Sequence, residues 1–260
     1  MNSDKKITYI SNWIKDYAIS LPFNPPSLII GVSGGIDSAV TSTLCAKTGL
    51  KTIAVSMPIK QNQSQHDLSL RHLKWLEDSF DNAEIMTIEL DEVFKSFELT
   101  MTNFNNKLAF ANSRSRLRMV TLYQIAQSNK GIVVGTGNKV EDFGVGFYTK
   151  YGDGGVDLSP IADLTKTQVF ALARYLNIIE IIQNAAPTDG LWGDARTDED
   201  QLGASYPELE WAMEAMEKET PQSLFDDRQN EVFKIFKKQF DQNQHKMQPI
   251  PVCKIPTTLI

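Results

Sequence analysis

The segment SGGIDS at residues 33–38 is where residue types and spacing point most directly to chemistry. Its adjacent glycines let successive backbone N–H groups close around an anion, and a helix that starts there would add positive potential. We therefore predict a phosphate-binding turn. The alternative is a turn of small residues in which Asp37 or Ser38 caps the helix. The segment has neither the GxxxxGK[ST] pattern with its lysine nor the GxGxxG pattern of dinucleotide-binding folds.

The elements on either side must position this turn. Leu28–Val32 is a short apolar run typical of a buried parallel strand, and the helix-like AVTSTLCAKTG after the turn ends at Gly49. Further strands are predicted at Thr52–Met57, Ala83–Leu90 and Ile132–Gly135, and helices at Gln65–Phe80, Asp91–Met101 and from about Asn112 to Gln127. This alternation predicts an α/β fold, a doubly wound parallel sheet with flanking helices, in which ligands bind at the carboxyl ends of the strands.

The N-terminal segment is predicted to be helical. Apolar residues recur at helical spacing from Ile7 to Tyr17, before Pro22. The segment from Tyr148 to Pro160 is polar and rich in glycine, which indicates a long functional loop. Later helices are predicted at Thr165–Leu176, Pro207–Glu219 and Leu224–Phe240, with a second loop at Pro187–Thr197 and a tail from His245 that its prolines extend. We expect one domain over residues 1–260, with the C-terminal helices and tail from about residue 205.

Composition narrows the classes of function. The 260 residues carry 26 Lys and Arg against 32 Asp and Glu, a net charge of −6, which disfavours a broad basic surface for nucleic acid. The N-terminal segment has no apolar run long enough for a signal peptide or a membrane span. Cys45 and Cys253 have no metal-ligand or disulfide spacing, which favours a reducing compartment. We therefore predict a cytoplasmic protein without nucleic-acid or membrane partners.

The chain also resembles a known enzyme family. SGGIDS resembles the pyrophosphate loop of the N-type ATP-pyrophosphatases, which have the adenine nucleotide alpha-hydrolase-like fold and adenylate a substrate. Within that family the chain is similar to the ammonia-dependent NAD synthetases. The elements that carry this similarity are NSRSRLRM (112–119), GTGNKVED (135–142), FYTKYGDGGVDLSP (147–160), LTK (164–166), PTDGLW (187–192), TDEDQLG (197–203) and HK (245–246). Together they cover most of the chain from residue 28 onward.

The resemblance implies a two-step amidation. The nicotinate carboxylate of deamido-NAD attacks the α-phosphorus of ATP, pyrophosphate leaves, and ammonia then displaces AMP from the acyl-adenylate to give NAD. The protein's tasks are orientation and charge stabilisation. The motifs begin near residue 31, so we expect no glutaminase domain within the chain, and either free ammonia or ammonia from a separate glutaminase as the nitrogen source.

The resemblance also assigns residues to ATP and to Mg²⁺, which would offset the charge of pyrophosphate. Asp37 and Glu141 are the expected metal ligands, because both follow predicted strands and a parallel sheet would bring them to one edge. Without the resemblance, Glu141 reads as an ordinary surface acid. The catalytic residues implied are Asp37, Lys166 and Asp153, the last orienting ammonia or ammonium. The ATP-binding residues implied are Gly31, Val32, Ser33, Gly34, Gly35, Ile36, Asp37, Ser38, Thr136, Lys166 and Thr188.

For deamido-NAD the resemblance assigns Arg116, Lys150, Asp157, His245 and Lys246. Arg114, Arg116 and Arg118 could equally form a solvated stripe on one helix, and His245 could be an ordinary residue of the tail. The family is homodimeric, with deamido-NAD bound at the subunit interface, so a homodimer is expected.

The sequence departs from the family pattern in one place. The stretch Glu141–Tyr148 is one residue longer than the usual spacing before TKYGDGG, and it carries an extra acid and an extra glycine. Counting forward from GTGN makes Glu141 the second metal ligand, and Asp142 stays open as the alternative.

Two other functions fit the glycine turn alone. Another ATP-pyrophosphatase, such as a tRNA-modifying sulfur transferase, would share SGGIDS without the downstream elements, but the acidic balance and the lack of a catalytic cysteine pair argue against it. A non-catalytic adenine-nucleotide-binding module would have little use for two separated acids together with Lys166.

Overall fold

The computed structural model describes residues 3–22, 26–61, 63–188 and 197–259. Residues 189–196 lie outside this range. They include most of the predicted loop Pro187–Thr197 and most of the PTDGLW motif. Within the described residues, four parallel strands form one sheet: β1 (Leu28–Gly31), β2 (Thr52–Ser56), β3 (Ala83–Thr87) and β4 (Ile132–Val134). The helices are α1 (Ser3–Ser20), α2 (Ile36–Lys47), α3 (Gln63–Ser79), α4 (Asp91–Thr100), α5 (Lys107–Ser128), α6 (Lys166–Tyr175), α7 (Glu180–Gln183), α8 (Asp198–Leu202), α9 (Tyr206–Glu217) and α10 (Asp227–Met247).

The strand order, β3-β2-β1-β4, fixes where a ligand can bind. The chain moves outward from β1 to β3, then returns to pair β4 with the other side of β1, with Ile30 opposite Val134. The order therefore reverses at β1, and the carboxyl ends of β1 and β4 lie side by side although they are far apart in sequence. In open parallel sheets the crevice at such a reversal is the usual ligand site.

Both faces of the sheet are covered by helices, as the alternation of side chains along a strand predicts. Leu28 and Ile30 of β1 pack into a cluster with α1, α2 and α6, whereas Ile29 between them packs into a second cluster with Phe94 of α4 and Ala126 of α5. Cys45 is fully buried in the first cluster, and Cys253 is exposed. The doubly wound α/β prediction is confirmed.

A third apolar cluster joins α9 and α10 to a turn that follows β4. This turn, Val140–Val145, is π-helical and ends at Gly146 in the left-handed region, with φ +64°. Val140 and Val145 pack against Leu209 and Phe236 in the cluster. The turn overlaps the stretch Glu141–Tyr148 that is longer than the family spacing. Because π-helical hydrogen bonds span five residues rather than four, the turn holds one residue more than an α-helical turn.

β3 ends at Thr87 rather than at the predicted Leu90. The largest differences from the predicted boundaries are in two helices. α5 begins at Lys107 rather than near Asn112, because Asn106 caps it: the Asn106 side chain accepts a hydrogen bond from the Ala109 N–H at 2.9 Å. α10 runs to Met247 rather than to Phe240. The segment after Phe240 contains no helix breaker before Pro249, so the helix continues. His245 and Lys246 are therefore in its last turn and not in an extended tail.

His72 of α3 is fully buried behind the phosphate-binding turn, where its Nε2 lies 2.8 Å from Ser42 Oγ. Burial lowers the pKa of His72 to about 4 from its ordinary value of 6.5. The folded chain then binds fewer protons than the unfolded chain between these two pH values, so the free energy of unfolding falls as the pH is lowered through this window.

We expect this one residue to remove up to about 3 kcal/mol of stability between pH 7 and pH 4. Chemical denaturation of wild type and His72→Gln at several pH values measures the effect, and the variant should lose less stability on acidification. The exposed His245→Gln is the matched control and should behave like wild type. Equal acid sensitivity of wild type and His72→Gln would contradict the prediction.

None of the helices in the described part of the chain is long and apolar enough to cross a membrane.

Candidate functional site at the carboxyl edge of the sheet

The predicted phosphate-binding turn lies between β1 and α2 and lines the main cavity at this edge of the sheet. The N-cap of α2 is Gly35, which has no side chain of its own to cap the helix. The alternative in which Asp37 or Ser38 caps the helix is therefore wrong. Ser38 instead closes the turn, since its Oγ donates to Gly35 O at 2.9 Å and accepts from Ser33 N at 3.2 Å. A closed turn at the N-terminus of a helix suits an anion.

Lys166 lies between two carboxylates at the mouth of this turn. Its Nζ is 2.6 Å from Asp37 Oδ2 and 2.9 Å from Glu141 Oε1, and the residue is only 3% exposed. Lys166 is the first residue of α6, after a capping box between Thr165 and Gln168. A cation at a helix N-terminus is opposed by the helix dipole, so the two carboxylates are needed to keep it there.

The sheet topology brings these three groups together. Asp37 is in the first turn of α2, which follows β1, and Glu141 is in the π-helical turn that follows β4. Because β1 and β4 are neighbours, the two acids meet above the same edge of the sheet. The structure thus places Asp37, Glu141 and Lys166 in one ion cluster, which we call the lysine triad.

Burial and the neighbouring charges shift the pKa values of the residues in the lysine triad. Burial alone would lower the pKa of Lys166, but Asp37 and Glu141 outweigh it and raise the pKa above the ordinary value, so Lys166 carries a positive charge. Burial also acts to raise the pKa of Glu141. Lys166 and a hydrogen bond from Tyr206 outweigh that effect, and the pKa of Glu141 is lowered. Glu141 is therefore an ionised acid.

Two further side chains hold the lysine triad. Asn138 is fully buried; its Nδ2 lies 3.4 Å from Asp37 Oδ1, and its Oδ1 accepts from the Glu141 N–H at 3.2 Å. The Tyr206 hydroxyl donates to Glu141 Oε1, and the Tyr206 ring lies beneath Lys166, with Nζ 4.7 Å from the ring centroid.

Asp142, the alternative to Glu141, occupies a different position. Its carboxyl group lies against Gly137, where a Cβ added to that glycine would be 1.9 Å from Asp142 Oδ2. Burial raises the pKa of Asp142 well above its ordinary value, and the nearby charges of Asp153, Glu141 and Asp37 raise it further. The geometry therefore favours Glu141 over Asp142 as the acid that acts together with Asp37.

The cavity has a volume of about 500 Å³ and extends from the phosphate-binding turn to the loop at 148–156. The predicted residues that line it outside the turn are Gly31, Val32, Thr136, Glu141, Asp153, Lys166, Thr188 and Lys246. Asp153 is held by Ser115 Oγ at 2.7 Å and by the Thr149 N–H at 2.9 Å. Burial raises the pKa of Asp153 despite these hydrogen bonds.

Lys246 reaches the cavity from the last turn of α10. Its Nζ donates to the carbonyl oxygens of Gly146 and Tyr148, at 2.7 Å and 2.9 Å, and lies 5.5 Å from the Tyr148 ring centroid. Asn243, one helical turn earlier, donates to Val145 O at 2.8 Å. These bonds attach α10 to the loop that carries Asp153.

Three residues predicted to bind deamido-NAD lie outside the cavity wall but beside one another. Arg116 Nε donates to Lys150 O at 3.3 Å, and Lys150 Nζ donates to His245 O at 2.7 Å. Arg116 and His245 are exposed. Asp157 is separate from them, since its carboxylate accepts from the Val133 N–H at 2.7 Å and from the Tyr123 hydroxyl at 3.1 Å, which ties the loop to β4.

Sequence reasoning missed three residues of the site. Arg118 was given no role, and a solvated stripe was left open for it, yet it lines the cavity and its Nε donates to Met57 O at 2.9 Å. Asn138 was inside a quoted motif, GTGN, and an amide beside an acid in a strand-to-helix turn could have identified it. Tyr206 carried no signal, because an aromatic residue at the start of a helix is ordinarily a core residue.

Among the described residues, no group of three or more His, Cys, Asp or Glu side chains is placed to hold a metal ion. Asp37 and Glu141 nevertheless converge on one cation, Lys166, and carboxylate oxygens are the ligands that Mg²⁺ prefers. Mg²⁺ commonly takes only one or two protein carboxylates and completes its shell with water and phosphate oxygens. The donor set therefore fits that ion.

The chain is similar to known proteins in both sequence and structure. The chain matches the NAD synthase family over residues 6–250. The NH(3)-dependent NAD(+) synthetase of Carboxydothermus hydrogenoformans is 37% identical over 218 residues, covering 81% of this chain and 85% of that protein. The protein with the same description from Archaeoglobus fulgidus is 34% identical over 262 residues, covering 98% of each.

Two solved structures extend the comparison. NMN synthetase from Francisella tularensis has a TM-score of 0.83 at 31% identity, covering 99% of both chains. NH3-dependent NAD synthetase from Campylobacter jejuni, in complex with the nitrate ion, has a TM-score of 0.79 at 25% identity, covering 98% of this chain and 100% of that one. Because the sequence match extends well beyond SGGIDS and spans most of the chain, it excludes a relationship through the glycine turn alone. The chain therefore belongs to the NAD synthase family, whose members matched here are enzymes of the ligase class.

Proposed function

We propose that the chain catalyses the ATP-dependent amidation of deamido-NAD with ammonia, giving NAD, AMP and pyrophosphate through an acyl-adenylate. The observation that carries the proposal is the lysine triad at the mouth of the phosphate-binding turn, inside a cavity of about 500 Å³. A turn and a lysine at one edge would hold the phosphates of ATP, while the far end of the cavity, at Asp153, would receive the group to be amidated.

The first step needs charge control around the phosphates. The deamido-NAD carboxylate oxygen forms a bond to the α-phosphorus, and the bond to pyrophosphate breaks. Lys166 would attract the phosphate oxygens, and the N–H groups of residues 33–38 would hold the leaving pyrophosphate. Asp37 and Glu141 would hold Mg²⁺, which when bound would offset the negative charge of the leaving group. Thr136 and Thr188, both at the cavity wall, are proposed as further ATP contacts.

In the second step the ammonia nitrogen bonds to the acyl carbon, AMP leaves, and the nitrogen loses a proton. Asp153 is the proposed group for attracting ammonium and accepting that proton. Its fixed position between Ser115 and Thr149 supports orientation, and its raised pKa supports proton acceptance.

The exposed group formed by Arg116, Lys150 and His245 is proposed to bind deamido-NAD with Lys246. Arg116 and His245 are on the surface beside the cavity, which supports a dinucleotide site completed by a second subunit and hence a homodimer. Asp157 is also proposed as a deamido-NAD contact, although its carboxylate already accepts hydrogen bonds from β4 and α5. A cytoplasmic location is proposed from the two unpaired cysteines and the need for ATP.

A second function is favoured by one comparison. The similarity to the Francisella tularensis NMN synthetase is 31% identity with a TM-score of 0.83. The product named there, NMN, is the amide of a mononucleotide. The corresponding acid substrate for this chain would be nicotinate mononucleotide in place of deamido-NAD. The chemistry at the lysine triad would be the same, and the two functions differ only in how far the substrate extends beyond the cavity.

The purified chain, incubated with ATP, Mg²⁺, ammonium and either acid substrate, distinguishes these functions. We expect NAD, AMP and pyrophosphate in equal amounts from deamido-NAD, with kcat/KM at least about tenfold higher than for nicotinate mononucleotide. The reverse preference would establish the second function. If neither substrate yields an amide or AMP from a folded chain, the proposal fails. Glutamine in place of ammonium is the control and should give no product.

A further inference from the structure

We infer that Tyr206 is a positioning residue for the lysine triad: its hydroxyl orients Glu141, and its ring supports the charged end of Lys166. The inference rests on the proposed function only for what the lysine triad does with ATP. The geometry of Tyr206 itself is independent of that. Tyr206 is 4% exposed and comes from α9, an element that contributes none of the three charged residues.

Tyr206 contacts both charged partners of the site at once. The hydroxyl donates to Glu141 Oε1, the same oxygen that accepts from Lys166 Nζ. The ring face lies 4.7 Å from Lys166 Nζ, a distance at which a cation and an aromatic ring attract each other. A phenylalanine would preserve the second contact and lose the first, and an aliphatic residue would lose both.

The hydroxyl also has a second acceptor. Tyr206 OH lies 3.2 Å from Asp198 Oδ2 of α8, and Asp198 is buried. A tyrosine hydroxyl has one proton, so it donates fully to one of these two carboxylates at a time. If Glu141 turned toward another cation, the hydroxyl would still have a partner in Asp198. The cost of leaving a buried donor unsatisfied is thereby avoided.

The backbone around Tyr206 is fixed. The residue is the first of α9, after a capping box between Ser205 and Glu208, and its N–H donates to Glu199 Oε1 at 2.8 Å. Asp198 in turn donates its N–H to Pro187 O at 3.0 Å. Tyr206 is thus held from both sides, and its ring has little freedom to follow Glu141. A fixed donor of this kind sets where the glutamate can point.

The test compares Tyr206→Phe and Tyr206→Leu with wild type. Tyr175→Phe is the matched control, because Tyr175 is exposed on α6 and lies outside the cavity. Three quantities are measured: the thermal unfolding midpoint, kcat and KM for ATP, and the rate at which trinitrobenzenesulfonate modifies Lys166, followed by peptide mass spectrometry. The exposed Lys237 provides the reference modification rate.

For Tyr206→Phe we expect kcat to fall about tenfold, the loss of one hydrogen bond to a charged group, with KM for ATP within about twofold and the unfolding midpoint little changed. Modification of Lys166 should stay slow in Tyr206→Phe and rise at least about tenfold in Tyr206→Leu, where the ring is gone. Tyr175→Phe should match wild type in all three quantities.

A Tyr206→Phe variant with wild-type kcat, or a Tyr206→Leu variant in which Lys166 stays unreactive, would overturn the inference. A purely structural role would lower the unfolding midpoint in both variants and leave kcat unchanged. If wild type forms no NAD, the proposed function fails, while the Lys166 modification rates still decide whether Tyr206 positions the lysine.

Discussion

Lys166→Met should lower kcat/KM for ATP by about a thousandfold, the loss expected when one preorganised group is removed from developing charge in a secluded site. The phosphate-binding turn contains no lysine of its own, and Lys166 supplies the cation at its mouth. Formation of AMP under steady-state conditions measures the effect. Lys139→Met is the matched control: it also loses an ion pair, from Nζ to Glu217 Oε1 at 3.1 Å, but outside the cavity. It should stay within about twofold of wild type.

The same variant has a second expected property. In wild type the Lys166 ammonium lies between Asp37 and Glu141. When no nucleotide is bound, this positive charge partly neutralises the two carboxylates and weakens their attraction for a divalent cation. Removing the ammonium should strengthen binding of Mn²⁺ to the nucleotide-free chain at least about tenfold. Electron paramagnetic resonance of free Mn²⁺ measures this directly. Equal Mn²⁺ affinity in wild type, Lys166→Met and Lys139→Met would contradict the placement of the two acids as ligands.

Gly34→Ala should be the most damaging single change in the phosphate-binding turn. Gly34 has φ +92°, and a Cβ there would lie 2.8 Å from Gln65 O and 2.9 Å from Ser69 N. Both are backbone atoms of α3, so either that helix or the turn must shift. We expect the free energy of unfolding to fall by about 3 kcal/mol and nucleotide binding to weaken at least about tenfold. Chemical denaturation and titration calorimetry with ATP measure the two effects.

Gly49→Ala separates the two causes of that loss. Gly49 also has a positive φ, +76°, but an added Cβ would meet nothing within 4 Å. This control should lose only about 1 kcal/mol, the cost of the left-handed backbone for an alanine, with ATP binding unchanged. If the two variants lose the same stability, the close approach of the turn to α3 has no energetic role.

The sequence predicted the parts of the fold that depend on local pattern. The apolar runs of β1, β2 and β4 and the glycine turn after β1 were placed correctly, because a buried parallel strand and a strand-to-helix turn have distinctive compositions. The start of α5 and the end of α10 were misplaced, because the polar residues there resemble a loop. In the structure Asn106 caps α5, and α10 continues because no helix breaker occurs before Pro249. The π-helical turn after β4 has no compositional signal.

The residues of the candidate site likewise include some that the sequence identified and some that it did not. Asp37, Glu141 and Lys166 were selected from motifs, and the strand order then explains why they meet. Tyr206 and Arg118 could not be identified as site residues from the sequence, because their roles depend on which helix face points toward the site in the folded chain. Asp157 illustrates the opposite case: its place in a motif suggested a substrate, and the structure gives its carboxylate partners in the protein.

The third apolar cluster gives the site a further property. Asp37 and Lys166 belong to helices packed on the sheet, whereas Glu141 and Tyr206 belong to elements packed in the separate cluster of α9 and α10. The cavity thus lies between two apolar clusters, and Lys166 forms an ion pair with an acid from each side. A ligand that fills the cavity adds bonds between the two sides. We therefore expect the gain in stability to appear chiefly as slower opening of the C-terminal helices in hydrogen exchange, with the sheet protected whether the site is filled or empty.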